Sequence, residues 1–169
     1  MRVYIPATGP LLAELSKRGR LGAAPLVAFA VTPALREWYA EGDEEELEYA
    51  AMTEAARASL RLLAADPMAP RRRVVVAADL PDAAVTPVGT PISREDGVVP
   101  AEVLLSRPVE LTDIASFHVD EAAAEPTVGE AALVAVAADE GDEDAQFTVD
   151  GVEDYELLWF ATQELPDLI

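Results

Sequence analysis

Two short apolar runs restrict what this chain can fold into. Leu26-Val27-Ala28-Phe29-Ala30-Val31 is bounded by Pro25 and Pro33. Val74-Val75-Val76-Ala77-Ala78 follows Arg71-Arg72-Arg73 and ends at Asp79. A strand with one wet face alternates apolar and polar residues, whereas these runs have no polar position at all. Their length and continuity predict central strands covered on both faces, hence a sheet packed by other elements above and below. The triple arginine before the second run reads as a solvated strand entrance or a source of internal ion pairs, in preference to a phosphate patch.

The segments between carry helix signals. Thr8-Gly9-Pro10 opens a helix through Leu15 that stops at Gly19. Thr32-Pro33 places a capping hydroxyl before a proline at the first helical position, and starts a short helix that breaks near Gly42. Asp43 with Glu46 three residues on forms an Asp version of the capping box. The helix it starts runs to about Ala65, with Leu47, Ala51, Ala55, Ala58, Leu62 and Ala65 at roughly helical spacing. Residues 80–100, rich in Pro, Gly and Thr, read as a loop with a short strand at 85–88. Glu102–Leu105 and Val109–Val119 read as strands, Glu125 opens another helix, a further short helix precedes Gly151, and Glu156–Ala161 is the last strand.

Strands separated by helices imply right-handed crossovers and parallel pairing. The expectation is therefore a single α/β domain over residues 1–169, with α+β as the alternative. Its sheet is mixed but mostly parallel, about five to six strands packed by helices.

Charge narrows the partners. Residues 1–107 hold 15 acids and 12 bases, whereas residues 108–169 hold 17 acids and neither Lys nor Arg, out of a net charge of −20. Such a surface repels phosphates, so nucleic acid and anionic membranes are excluded as partners, and a basic protein is the partner it suits. A solvated, solubilising acidic face is the simpler use of the same charge. The absence of cysteine removes disulfides and thiolate sites, and neither an 18-residue apolar segment nor a signal-like leader is seen, so a cytoplasmic location is the expectation.

No phosphate-binding, zinc-protease or nucleophile-elbow motif is present, and Asp139–Asp144 has calcium-loop composition without calcium-loop spacing. Neither cofactor nor metal is expected. Ser116, His118 and Asp120 have the residue types of a hydrolase triad. On one strand, though, alternate Cα atoms stand about 6.5–7 Å apart, and triads draw on several elements. The candidate site is instead a cleft beyond the strand ends, where α/β sheets bind ligands. It would gather Thr8, Thr32, Asp79, His118, Asp120, Glu121, Gln163 and Glu164.

RVYIPAT, FAVTPALREWYAEGDEEELEYAAMTEAARASLRLLA, SFHVDEAA and ELLWFATQELPDL together resemble a family of small acidic actinobacterial proteins known only as a domain of unknown function. The resemblance covers most of the chain and implies no activity, cofactor or catalytic residue. The expected function is that of a non-enzymatic protein-interaction or regulatory domain with an acidic C-terminal half. The alternative is a small-molecule or divalent-metal-dependent enzyme with a strand-end cleft around His118.

Overall fold

A computed structural model of the chain describes residues 1–88 and 99–169. The loop expected over 80–100 therefore lies partly outside the described residues. In chain order the elements are β1 (Arg2–Ala7), α1 (Gly9–Arg18), β2 (Arg20–Leu21), β3 (Leu26–Ala30), α2 (Pro33–Trp38), α3 (Glu44–Ala65) and β4 (Val74–Asp79). There follow β5 (Val85–Pro87), β6 (Glu102–Leu105), β7 (Val109–Glu110), β8 (Ile114–Asp120), α4 (Glu125–Asp139), α5 (Glu143–Asp150) and β9 (Leu157–Ala161).

Seven strands form one sheet in the order β5-β6-β3-β1-β4-β8-β9, and β2 with β7 forms a separate ribbon. Every neighbouring pair in the sheet is antiparallel. The expected mostly parallel α/β sheet is thus overturned, and the architecture is α+β. The crossover argument fails for β1 and β3, which are antiparallel although α1 separates them, and is right only in that β3 and β4 run the same way. It misses that β1 is inserted between them, so they are not neighbours. Between β8 and β9 the chain makes two helices packed on each other, out and back, which returns it to the end it left and makes that pair antiparallel.

All five residues of the Val74–Ala78 run are buried, as both-face burial requires, but the Leu26–Val31 run is covered only in part, with Val27 41% exposed. On one face Val3, Ile5, Val74, Val76 and Phe117 pack against Leu12 and Leu15 of α1. On the other, Tyr4, Phe29, Val75 and Ala77 meet Leu47, Ala51 and Ala55 of α3. The second half of α3 turns Leu60 and Leu63 toward α4 and α5. The capping box forms as read, with Glu46 N donating to Asp43 Oδ1 at 2.9 Å and Asp43 N to Glu46 Oε2 at 3.1 Å.

Two local features depart from simple alternation. The long strand expected over 109–119 is interrupted, because the Asp113 carboxylate accepts from Glu110 N at 2.9 Å and pairs with Arg107 at 2.8 Å, folding Leu111–Asp113 into a tight turn. Further on, Ala77 faces Ser116 but Ala78 faces Ile114, so Ala115 is an extra residue and the strand bulges there. That bulge moves Ile114 to the face of Phe117 and Val119, away from Ser116 and His118.

Fully buried Ala51 lets α3 lie close to the sheet. Ala51→Leu should therefore overpack and cost about 1–3 kcal/mol. The half-buried Ala58 should tolerate the same change better, and urea unfolding midpoints of the two variants would show the difference.

The sheet's outer strands are unequal. β5 is three residues long and ends in Pro87, whereas β9 is five residues without a charge, and its Leu158 and Trp159 are exposed.

Candidate functional site

Alternation along β1, β4, β8 and β9 sets one row of side chains across the α3 side of the sheet. Register joins Tyr4 to Ala77, Ala77 to Ser116, Pro6 to Val75, Val75 to His118 and His118 to Trp159. Ala77 and Val75 are short, so the surface dips between Tyr4 on one side and His118 on the other. Glu45, Glu48, Tyr49 and Met52, spaced to share one stripe of α3, supply the wall. The result is a groove of about 330 Å³, also lined by Arg2 and Trp159. A second space of about 260 Å³ shares Tyr49 and Met52 and continues toward Arg73 and Tyr155.

The charges in the groove are unevenly satisfied. Arg2 donates to both oxygens of Asp79, from Nε at 2.7 Å and Nη2 at 3.0 Å. That hydrogen-bonded pair holds the Asp79 carboxyl below its usual range and raises the guanidinium. Glu45 and Glu48 form no ion pair among the described residues, although Glu48 lies near enough to Arg2 to raise its guanidinium further. Tyr4 is 6% exposed; burial first, then Glu48, push its hydroxyl up to about 12, and that hydroxyl makes no hydrogen bond to any described residue. His118 is half-buried, and its Nε2 lies 3.0 Å from Ser116 Oγ. Burial, with a smaller contribution from Arg2, lowers its pKa, so the imidazole is neutral at pH 7.

This gives a pH prediction. A histidine whose pKa is lowered on folding binds fewer protons folded than unfolded, so its stabilising effect is complete above the unfolded value near 6.5 and is lost as pH falls through the folded one. Between pH 7 and 5 the wild type should lose more stability than His118→Gln, as read by thermal melts in matched buffers.

The residues expected to share a strand-end cleft divide between two ends of the sheet, because carboxyl ends alternate when strands are antiparallel. Thr8, Asp120 and Glu121 lie at one end, and Thr32, Asp79, Gln163 and Glu164 at the other. Most of them already have local work. Thr32 Oγ1 accepts from Leu35 N at 3.0 Å and donates to Pro100 O, while Glu164 accepts from Ala161 N at 2.7 Å. Thr8 is buried before α1, and Glu121 and Gln163 are exposed. The buried Asp120 carboxylate accepts three hydrogen bonds from Arg73, donated by its backbone N, Nε and Nη2, each at 2.8 Å. The Ser116–His118 contact is therefore reachable on one strand, but Asp120 is turned to Arg73 and does not complete a triad. Among the described residues no three of His, Asp and Glu gather closely enough to hold a metal ion.

Arg2, Tyr4, Glu45, Glu48, Tyr49 and Trp159 were not among the expected site residues. The period of two in Arg2-Val3-Tyr4-Ile5 and the 45/48/49/52 stripe held the signal, once β1 is known to be central.

A second surface lies on the helices. Leu133 of α4 is 87% exposed and Phe147 of α5 is 82% exposed, and Val136 is exposed beside them in sequence. Arginines of the N-terminal half neutralise part of the acidic half: Arg57 pairs with Glu153, Arg61 with Asp139, Arg72 with Glu125 and Arg73 with Asp120. Glu130, Glu140, Glu143, Asp144 and Asp150 are in no ion pair among the described residues.

Fold and surfaces together define an α+β domain with a mixed-charge groove beside α3, a second one of about 450 Å³ lined by Arg72, Asp120, Glu121 and Glu125, and exposed apolar side chains among unpaired acids on α4 and α5. No helix among the described residues is long and apolar enough to cross a membrane. The chain belongs to a family of unknown function, DUF6912, whose profile matches residues 1–169. No curated protein and no solved structure matches it.

Proposed function

We propose that the chain is a non-enzymatic protein-interaction domain, and that its acidic C-terminal half docks a basic partner on the outer face of α4 and α5. The observation that carries this reading is the exposure of Leu133 and Phe147 among acids that have no internal counter-charge. In α4 the buried side is Val128, Ala131 and Ala135, and in α5 it is Ala145 and Val149. Helical geometry puts Leu133 and Phe147 opposite those sides, so both point away from the core. An apolar centre with a charged rim is the arrangement in which the centre supplies affinity and the rim steers encounter. The matching occupant is an amphipathic segment with Lys or Arg around an apolar stripe.

The test is fluorescence anisotropy of a labelled amphipathic Lys/Arg-rich helical peptide. The double variant Leu133→Ser, Phe147→Ser should weaken binding about tenfold or more, with an unchanged melting temperature, as expected for hot-spot truncation. Equal affinity for wild type and variant would reject the docking face.

An enzymatic reading has one specific observation in its favour, the 3.0 Å contact between Ser116 Oγ and His118 Nε2. It lacks a group that orients the imidazole, because Asp120 is engaged by Arg73. Covalent labelling of Ser116 by a fluorophosphonate probe, abolished in His118→Ala, would favour it over the interaction reading.

A further inference from the structure

The groove beside α3 has chemistry of its own, separate from the helical face. We infer that it is a binding site for a small organic cation bearing N–H donors, a primary ammonium or a guanidinium. Three observations converge on that class. First, Glu45 and Glu48 face the groove and form no ion pair among the described residues, while the charge of the nearby Arg2 is already matched by Asp79, which takes two of its hydrogen bonds. The groove is therefore short of positive charge even after its one arginine is counted. Second, the exposed rings of Tyr49 and Trp159 line it, and aromatic rings attract cations by about 0.5–2 kcal/mol according to desolvation.

Third, the groove has an unused polar group at its floor. Tyr4 is more than nine-tenths buried and lines the groove, yet its hydroxyl bonds to no described residue. No buried side-chain oxygen among the described residues lacks a partner, so this hydroxyl reaches the open groove and is a free acceptor there. The phenol keeps its proton, and its oxygen still accepts from an N–H donor. His118, the other ionisable group facing the space from the sheet, is neutral at pH 7 and does not oppose a cation. A carboxylate or phosphate ligand would meet Glu45 and Glu48 beside an arginine whose charge Asp79 already matches, which disfavours anions.

The same cationic head can belong to a free amine or to a Lys or Arg side chain, and the experiment separates the two. Wild-type protein is titrated by calorimetry with agmatine and with N-acetyl-arginine-amide, at moderate salt so that diffuse attraction to the net negative charge is screened. One-to-one binding of either compound, weakened about tenfold or more in Glu48→Gln and in Trp159→Leu, is the expected result. Tighter binding of agmatine assigns the site to a free amine, and tighter binding of the arginine amide assigns it to a protein side chain. Circular dichroism of the variants checks folding, and the milder Glu45→Gln, at an exposed position, serves if Trp159→Leu is unstable. The Leu133→Ser, Phe147→Ser variant should bind both compounds as the wild type does, so loss of the docking face and loss of the groove are read independently. Absence of stoichiometric binding, or binding unchanged by the Glu48, Glu45 and Trp159 substitutions, would overturn the inference.

Discussion

Arg73→Met is expected to destabilise the protein by about 3–5 kcal/mol, the usual cost of leaving a buried charge without its partner. Arg73 is 4% exposed and Asp120 2%, and the guanidinium also donates to Tyr155 O at 3.0 Å. Removing it leaves the Asp120 carboxylate with only the backbone N–H of residue 73. For a chain of this size that loss corresponds to a fall in melting temperature of roughly 10 °C. The double variant Arg73→Met, Asp120→Asn should recover much of it, because an amide needs no counter-charge and its oxygen still accepts from the same N–H. Chemical denaturation of the two single variants and the double variant completes the cycle. Additive losses would show that Arg73 and Asp120 act separately, against the geometry of three shared hydrogen bonds.

Ser59→Ala should cost about 2–4 kcal/mol although it removes a single oxygen. Ser59 is fully buried in α3, and its hydroxyl donates to Ala7 O at 2.7 Å and accepts from Val74 N at 3.0 Å. These are the facing terminal residues of β1 and β4, so one side chain closes the end of the central ladder and ties it to the helix above. Each buried backbone group left without a partner costs about 1–3 kcal/mol. Hydrogen exchange gives a local reading: the Val74 amide should lose protection in Ser59→Ala beyond the general loss of stability. A change within about 0.5 kcal/mol, typical of a surface substitution, would mean the two backbone groups find each other unaided.

Ser59 also illustrates why part of the fold was legible and part was not. The stripe read along α3 as Leu47, Ala51, Ala55, Ala58, Leu62 and Ala65 is right for its first half. It then continues through Ser59, Leu60 and Leu63, because a polar residue with two buried backbone partners can occupy a core position. Most element positions, the caps at Thr32 and Asp43 and the fully buried Val74–Ala78 strand were readable, since each depends on neighbours along the chain. Pairing was not, because nothing in residues 2–7 says that β1 will separate β3 from β4. The groove followed the same rule. His118 was visible as the lone imidazole, whereas Tyr4, Tyr49 and Trp159 are ordinary residues until three distant segments are laid side by side.

The open strand β9 has a consequence for the protein in bulk. Leu157–Ala161 has no strand beyond it among the described residues and carries no charged side chain to keep a second copy away, apart from Glu156 before it and Glu164 after it. An unguarded edge of this kind is a template for strand addition. At neutral pH the guard is collective: molecules of net charge −20 repel one another before their edges meet. That guard is withdrawn near the isoelectric point of about 4.1, where colloidal stability fails first and edge-to-edge association through β9 has nothing left to oppose it.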